Sequence, residues 1–384
     1  MDITTLGGYT AHLCVCGILG KKPESRPKEL SFERIYSFAK SHMVECSAYY
    51  GVNQLEEKPD FWDKWTKHIS QMSAADAIQR IEFERLCECF ENERIQHIPL
   101  KGFAIKDCYP SGDMRRMSDL DIYVCDEHKA HDAMLKLGYE CKSFGECHHN
   151  TYYLRPVMNV EIHTRLSNDE KYMGYFSGIC RDVISRSDKH GAFFDVCDTM
   201  CYIIYHTYKH FSGGGCGIRA VLDLYLFYEK HKAELDSERF RLCLEELGLQ
   251  KFYASLLSLG RVWFENSEET ALDRKIADYI YSSGAYGKAS RNNQNTVVKQ
   301  MGESANASSA KRKTVFAVMF PDVKKMKLNF PYVEKCVLLL PVAYVHRAFR
   351  AVFVKKRLHK LADVAAVSDE KAVEAYELFN ELGI

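Results

Sequence analysis

The spacing of hydrophobic and polar positions separates two helical regions from a short central region with strand-like alternation. Apolar and aromatic residues recur at helical spacing from Phe32 to Tyr50 and from Asp60 to Ile95, and helical periods return from Asp195 onward. Between them, alternating runs bounded by turn residues predict strands. These lie at 117–124, 139–143, 151–154 and 157–165. The pattern predicts an α+β fold, with a small mixed sheet flanked by N-terminal helices and a C-terminal helical domain.

The same pattern predicts where the domains begin and end. We expect residues 1–95 to form an N-terminal helical region that packs on the core, 96–190 the α/β core, and 191–384 the C-terminal helical domain. Residues 283–312 are poor in large apolar side chains and rich in Ser, Asn and Gly. This composition predicts a mobile loop or a linker within the last domain.

The strand at 117–124 carries two acids, Asp119 and Asp121, at alternate positions. Side chains two apart on a strand point to the same face, so these carboxylates should project together while Leu120 and Ile122 enter the core. Two carboxylates so close repel each other unless a cation lies between them, and Mg²⁺ or Mn²⁺ favours oxygen ligands. The alternative interpretation is a strand edge with two solvated acids.

Two neighbouring segments strengthen the metal interpretation. Lys101-Gly102 follows the end of a short strand and opens a helix, where backbone N–H groups and a lysine amine can bind phosphate. Glu161 and His163 alternate on the strand at 157–165. A third carboxylate from a neighbouring strand would complete the oxygen ligands of a metal pair.

The run LKGFAIKDCYPSGDMRRMSDLDIYV at 100–124, followed by VEIHTRL at 160–166, resembles the uncharacterised nucleotidyltransferase family of the DNA polymerase β-like superfamily. The resemblance implies a palm-like core in which Asp119, Asp121 and Glu161 are the catalytic and metal-binding acids. It implies nucleotide contacts from Lys101, Gly102, Arg115 and Ser118. The superfamily usually has Gly-Ser where this chain has Lys101-Gly102.

Further residues match the family less specifically. His163, His206, Arg219 and Asp223 are second-tier candidates for nucleotide or acceptor contacts. Other interpretations stay open, because His163 could simply fill space beneath the sheet and Arg219 could pair with Asp223 one helical turn away. Arg115 could bind triphosphate oxygens, or it could pair structurally with Asp113 or with a metal-binding acid.

Charge and cysteine content narrow the function classes. Lys plus Arg and Asp plus Glu both total 52, so the overall charge does not indicate nucleic-acid binding. Fifteen irregularly spaced cysteines without a C-x-x-C pair predict reduced thiols and a cytoplasmic protein. No signal pattern and no apolar run of about 20 residues is present, so a transmembrane segment is not expected.

The segment from 311 to 360 is basic, with 13 Lys or Arg against only Asp322 and Glu334. Within it, Tyr344 to Leu361 has the pattern of an amphipathic helix. Such a helix could bind an anionic membrane surface or a nucleic acid, or make a contact within the chain.

Together these features predict a transferase that moves an NMP from an NTP such as ATP to a hydroxyl acceptor, with Mg²⁺ or Mn²⁺ as cofactor. A small-molecule acceptor is favoured over RNA or protein. The alternative is a catalytically degenerate nucleotide-binding or interaction protein. The sequence leaves the acceptor, the preferred NTP and the oligomeric state open.

Overall fold

The computed structural model describes residues 1–145, 149–156, 158–302, 306–321, 323, 326–327, 330–353 and 363–384. Residues 354–361 of the predicted basic helix, including Lys355, Lys356 and Arg357, lie outside the described residues. The fold is α+β, as predicted, with one five-stranded mixed sheet among many helices.

The described residues contain five strands and eighteen α-helices. The strands are β1 (His97–Pro99), β2 (Leu120–Val124), β3 (Glu140–Ser143), β4 (His149–Leu154) and β5 (Met158–His163). The helices before and around the sheet are α1 (Leu6–Leu19), α2 (Phe32–Ser41), α3 (Glu45–Asn53), α4 (Trp62–Asn92), α5 (Gly102–Lys106), α6 (Glu127–Lys136) and α7 (Glu170–Ser185).

The remaining helices follow the sheet in sequence. They are α8 (Val196–Phe211), α9 (Ile218–Lys230), α10 (Lys232–Leu235), α11 (Glu238–Leu247), α12 (Gln250–Glu265), α13 (Ala271–Tyr281), α14 (Ala289–Val298), α15 (Ala307–Met319), α16 (Pro331–Lys335), α17 (Leu340–Phe353) and α18 (Asp369–Leu382). Short 3₁₀ turns lie at Gly112–Met114 and Val337–Leu339.

The sheet has the strand order β1-β2-β5-β4-β3, in which β2 and β5 are parallel and the other neighbours are antiparallel. The parallel pair lies near the centre and is joined through α6, β3 and β4. This mixed arrangement is the predicted one, although β2 begins at Leu120, three residues later than the alternation suggested.

One face of the sheet forms a hydrophobic core with α4 and α6. Leu120 and Ile122 of β2 lie on it and are buried, as the strand alternation predicted. Leu86 and Phe90 of α4, with Ala130, Ala133 and Met134 of α6, cover them. Because side chains alternate along a strand, the polar members of β2 and β5 are directed to the opposite face.

The chain forms two compact units. The first comprises Met1–Tyr208 and Gly217–Ala285 and includes the whole sheet, whereas the second comprises Lys209–Cys216 and Tyr286–Ile384. The division at residues 95 and 190 remains a prediction.

The segment 283–312 differs from the expected irregular loop, because it contains α14 and the start of α15. Its polar side chains are partly buried and hydrogen-bonded. Asn295 Nδ2 donates to Gly213 O at 2.7 Å and to Phe211 O at 3.2 Å, and Gln294 donates to Lys371 O. The low apolar content therefore misled the prediction of irregular structure, because α14 buries hydrogen-bonded amides together with Val297 and Val298. The mobility of the segment remains a prediction.

No helix within the described ranges is both long and apolar enough to cross a membrane. The fourteen cysteines in the described part of the chain are all free thiols.

Candidate active site

The polar face of the sheet is organised by the parallel pairing of β2 with β5. In this register Asp121 is opposite Glu161 and Tyr123 is opposite His163. Adjacent strands are about 4.8 Å apart, and paired residues direct their side chains to the same face. Residues forty positions apart in sequence therefore become neighbours.

Three of these side chains form a compact cluster of possible metal ligands. His163 Nε2 lies 2.9 Å from Asp121 Oδ1 and 3.7 Å from Glu161 Oε2. One ligand atom from each of the three residues lies within 4.8 Å of the others. Carboxylate and imidazole groups both coordinate Mn²⁺, whereas Mg²⁺ depends mainly on the carboxylates.

Lys101 approaches the same cluster from the loop between β1 and α5. Its Nζ lies 3.0 Å from Asp121 Oδ2 and donates to His206 Nε2 at 2.6 Å. His206 is on α8, so this helix contributes to the polar face of the sheet. Although Lys101 is close enough for an ion pair, the buried Oδ2 accepts no hydrogen bond of normal geometry from the described residues. Because a carboxylate oxygen has two lone pairs, Oδ2 can keep its ion pair with Lys101 and still coordinate a metal cation.

The electrostatic environment gives the two acids different proton affinities. Burial of Glu161, with the negative charges of Asp121 and Asp119, raises its pKa to about 7. Burial acts in the same direction on Asp121, but the Lys101 charge and the hydrogen bond from His163 together hold the pKa of Asp121 below its ordinary value. The site therefore keeps one carboxylate ionised while the other can exchange a proton near neutral pH.

Asp119 lies immediately before β2, outside the cluster of Asp121, Glu161 and His163 that the described residues form. Its charge still contributes to the raised pKa of Glu161, so the two carboxylates interact through space. The Ser118 hydroxyl contacts Met43 Sδ at 3.8 Å. The catalytic and nucleotide-binding roles of Asp119 and Ser118 remain predictions.

A model of the uncharacterised nucleotidyltransferase family matches residues 28–265. The match covers more than half of the chain and extends from just before α2 to the end of α12. The chain belongs to this family. The predicted family is thereby confirmed, and the DNA polymerase β-like superfamily is consistent with it. Searches of curated proteins and of solved structures gave no match.

Membership in the nucleotidyltransferase family supports nucleotidyl transfer as the general activity. The matched region contains the whole sheet and every candidate site residue named from the sequence. It also contains the N-terminal helices α2 to α4 and the helices α7 to α12.

Arg115 has a partner that the sequence interpretation did not include. Its Nε and Nη2 donate to the two carboxylate oxygens of Asp223 at 2.7 and 2.9 Å, and Tyr109 donates to Oδ1 at 2.8 Å. Arg115 is only 6% exposed. These contacts join the loop before β2 to α9.

Arg219 interacts with Asp223 more weakly than helical spacing suggested, because their closest ion-pair atoms are 3.9 Å apart. Its Nη1 instead donates to the backbone oxygen of Arg116 at 3.0 Å. Arg219 and Asp223 both contact the segment preceding Asp119, although through different groups.

Sequence reasoning did not assign His149 or Tyr202 to the site. His149 is opposite His163 in the β4–β5 ladder, and its Nε2 lies 3.6 Å from Glu161 Oε2. Tyr202 precedes His206 by one turn of α8, and Lys101 Nζ lies 5.9 Å from its ring centroid. The helical spacing from His206 was the only sequence signal for Tyr202.

Proposed function

We propose that this chain is a metal-dependent nucleotidyltransferase that transfers an NMP from an NTP to the hydroxyl group of a small-molecule acceptor. The observation that carries the proposal is the parallel register that pairs Asp121 with Glu161 beneath Lys101. Family membership supports the reaction class, and the carboxylates of this cluster support the proposed metal dependence.

Asp119, Asp121 and Glu161 are the residues that would hold Mg²⁺ or Mn²⁺. When bound, the metal neutralises triphosphate charge and stabilises the charge that develops during in-line displacement. The incompletely satisfied Asp121 Oδ2 and the crowding of two acids both favour a cation at this position.

The side chains around the proposed metal site have separate roles in orienting Asp121 and in accepting a proton. Lys101 and His163 keep Asp121 ionised and oriented. Glu161, whose pKa is raised to about 7 in the metal-free chain, is proposed to accept the proton of the attacking hydroxyl.

Lys101 and the backbone N–H of Gly102 are proposed to bind phosphate oxygens. A Cβ at Gly102 would meet side-chain atoms of Leu120 and Met117 at 3.5 Å, which is an ordinary contact distance. Packing therefore does not require glycine there, and close approach of a phosphate to the backbone is a reason for it.

The contacts of Arg115 favour a positioning role over direct binding of the leaving pyrophosphate. Both acceptor oxygens of Asp223 are already engaged by its guanidinium. We propose that Arg115, through Asp223, holds the loop that leads into Asp119.

The proposal is tested by incubating the full chain with each labelled NTP, Mg²⁺ and a panel of acceptors. The panel contains small hydroxyl compounds, an RNA oligonucleotide and a protein, and the readouts are pyrophosphate release and labelled product. We expect transfer to a small hydroxyl compound. Metal-dependent NTP binding without any product would favour a non-catalytic nucleotide-binding protein instead.

Variants connect the activity to the cluster. Asp121→Asn should lower pyrophosphate release by more than about 100-fold, because residues that only support metal ligands already account for about 10- to 100-fold. Glu140→Gln is the matched control, since Glu140 lies on β3 and is exposed. Equal turnover by wild type and Asp121→Asn, with the fold intact by circular dichroism, would rule out this site.

A further inference from the structure

The second unit displays an unusual concentration of exposed apolar side chains. Of the seventeen large hydrophobic residues that are exposed in the described ranges, ten lie between residues 316 and 349. The most prominent are Phe316, Phe320, Leu338, Val342, Val345 and Phe349, which are 46–88% exposed. We call these six residues the apolar face.

Helix α17 is apolar on two sides. Ala343 is buried against Met326, Phe330 and Val333, and Leu340 and Tyr344 pack around them. Val342, Val345 and Phe349 have the spacing i, i+3, i+7, and at about 100° per residue they form a stripe that lies about 100° to 160° around the helix from Ala343. Only the side containing Ala343 is covered by other described residues.

The end of α15 lies beside α17. Tyr344 donates its hydroxyl to Pro321 O at 2.6 Å, and Arg347 Nη2 donates to Val318 O at 3.0 Å. The rings of Phe320 and Tyr344 are 5.5 Å apart. These contacts place the end of α15, including Phe320, against the side of α17 that carries Tyr344 and Arg347.

The same part of the chain is strongly basic. From Lys311 to Lys360, the sequence has 13 Lys or Arg and two acids, a surplus of 11 positive charges. Arg312 and Lys313 on α15 and Lys335 at the end of α16 are exposed. Arg312 precedes Phe316 by one helical turn, so charge and apolar surface adjoin on α15.

This combination selects among possible partners. A second copy of this chain would bring two equally basic segments together, which like-charge repulsion opposes. A nucleic acid would satisfy the charge but would leave the aliphatic side chains without an apolar environment, since such interfaces are polar. An anionic bilayer surface offers lipid headgroups for the lysines and arginines and an acyl boundary for the apolar face.

We propose that the α15–α17 region binds peripherally to an anionic lipid bilayer. In this arrangement α17 lies in the interface, with Val342, Val345 and Phe349 inserted between headgroups and the basic residues in contact with lipid phosphates. The proposal is independent of the catalytic assignment, because it concerns the second unit alone.

Sedimentation of the full chain with vesicles provides the test. Wild type should bind vesicles of phosphatidylcholine mixed with phosphatidylserine, and should bind phosphatidylcholine alone much more weakly. Binding should weaken as salt is raised. Val345→Glu and Phe349→Glu should each lower the apparent vesicle affinity by roughly tenfold or more, since an inserted apolar side chain is replaced by a repelled carboxylate.

Ile81→Glu and Phe193→Glu are matched controls, because both residues are exposed apolar side chains of the first unit. They introduce the same charge change and should leave vesicle binding unchanged. Circular dichroism and thermal melting of all variants establish that the fold is retained.

Three results would overturn the proposal. One is the absence of wild-type binding to the anionic vesicles, and another is unchanged binding by Phe349→Glu. The third is a dimer in sedimentation velocity that Phe349→Glu dissociates, which would identify a second copy as the partner. If the chain did not bind vesicles but bound RNA, and Phe349→Glu left the RNA affinity unchanged, a nucleic acid would be favoured as the partner.

Discussion

Two buried ionic clusters of the first unit differ in how completely their charges are satisfied. The closed cluster consists of Arg115, Asp223 and Tyr109, and each carboxylate oxygen of Asp223 accepts at least one short hydrogen bond. The open cluster consists of Asp121, Glu161, His163 and Lys101. It retains a buried oxygen without a normal hydrogen bond and a carboxylate whose pKa is raised to about 7.

This difference distinguishes a structural ion pair from a cluster that can bind a ligand. In the closed cluster, one positive and one negative group neutralise each other, so the arrangement is complete without a ligand. In the open cluster, acids crowd together and resist joint ionisation, which a bound cation would relieve. Incomplete electrostatic satisfaction in a buried position is therefore the better indicator of a functional site.

The largest expected effect is on the closed cluster. Arg115→Met should lower the free energy of unfolding by about 3–5 kcal/mol. The buried Asp223 carboxylate would lose both short hydrogen bonds from the guanidinium and keep the 3.9 Å ion-pair contact with Arg219 and the hydrogen bond from Tyr109. Urea denaturation followed by circular dichroism measures the loss. The double variant Arg115→Met/Asp223→Leu should recover much of it, since no unpaired charge remains.

Arg85→Met is the control for this measurement, because Arg85 pairs with Glu82 at the surface and should contribute less than about 1 kcal/mol. If Arg115→Met changed stability as little as the control but abolished NTP binding, Arg115 would be a nucleotide contact, as the sequence suggested.

The second prediction concerns the pH dependence of the open cluster in EDTA. Because the pKa of Glu161 is higher in the folded chain than its ordinary 4.5, the folded state binds more protons, and stability falls as pH rises from 4.5 to about 7. The full shift corresponds to at most about 3 kcal/mol. Glu161→Gln should remove this slope, and so be more stable than wild type above neutral pH.

At low pH, where Glu161 is protonated in both states, wild type and Glu161→Gln should have similar stability. Urea denaturation across this pH range gives the comparison. A wild-type slope unchanged by Glu161→Gln would show that another group is responsible.

The third prediction is the response of metal binding to pH. Protons and metal compete for Glu161, so Mn²⁺ affinity should fall by up to about tenfold per pH unit below 7 and level off above it. Titration calorimetry or electron paramagnetic resonance measures the affinity without turnover. An affinity that is independent of pH between 5 and 8 would exclude Glu161 as a ligand.

The smallest expected effect separates the two histidines beside Glu161. His163→Gln should weaken Mn²⁺ binding by about tenfold or more, because its Nε2 is 2.9 Å from Asp121 Oδ1. His149→Gln should change it by less than about threefold, since its Nε2 is 3.6 Å from Glu161 Oε2 and the pair is partly exposed. Equal effects would mean that both rings belong to the metal site.

The local pattern of the sequence was sufficient to predict the mixed sheet and to indicate the acids on its polar face. Alternation predicted that Leu120 and Ile122 face the core, and both are buried. The strand–turn–strand spacing predicted a mixed sheet, and the motif residues predicted the family. These features depend on residues close together in sequence, so short-range patterns record them.

Composition was a poorer guide where polar groups are buried. The segment 283–312 has the composition of an irregular loop, yet it contains α14. The side-chain amides of Asn295 and Gln294 donate hydrogen bonds to backbone oxygens elsewhere in the second unit. Local hydrophobicity does not reveal such distant partners.

By itself, then, the sequence determined the fold class and the family and indicated the candidate acids, because side-chain periodicity and motif spacing are local properties of the chain. Only the tertiary structure decided which charges meet. Lys101 reaches His206 across 105 residues, and Arg115 binds Asp223 across 108. Such pairs depend on how separate elements pack against each other. They cannot be predicted from local periodicity, because the partners are far apart in sequence.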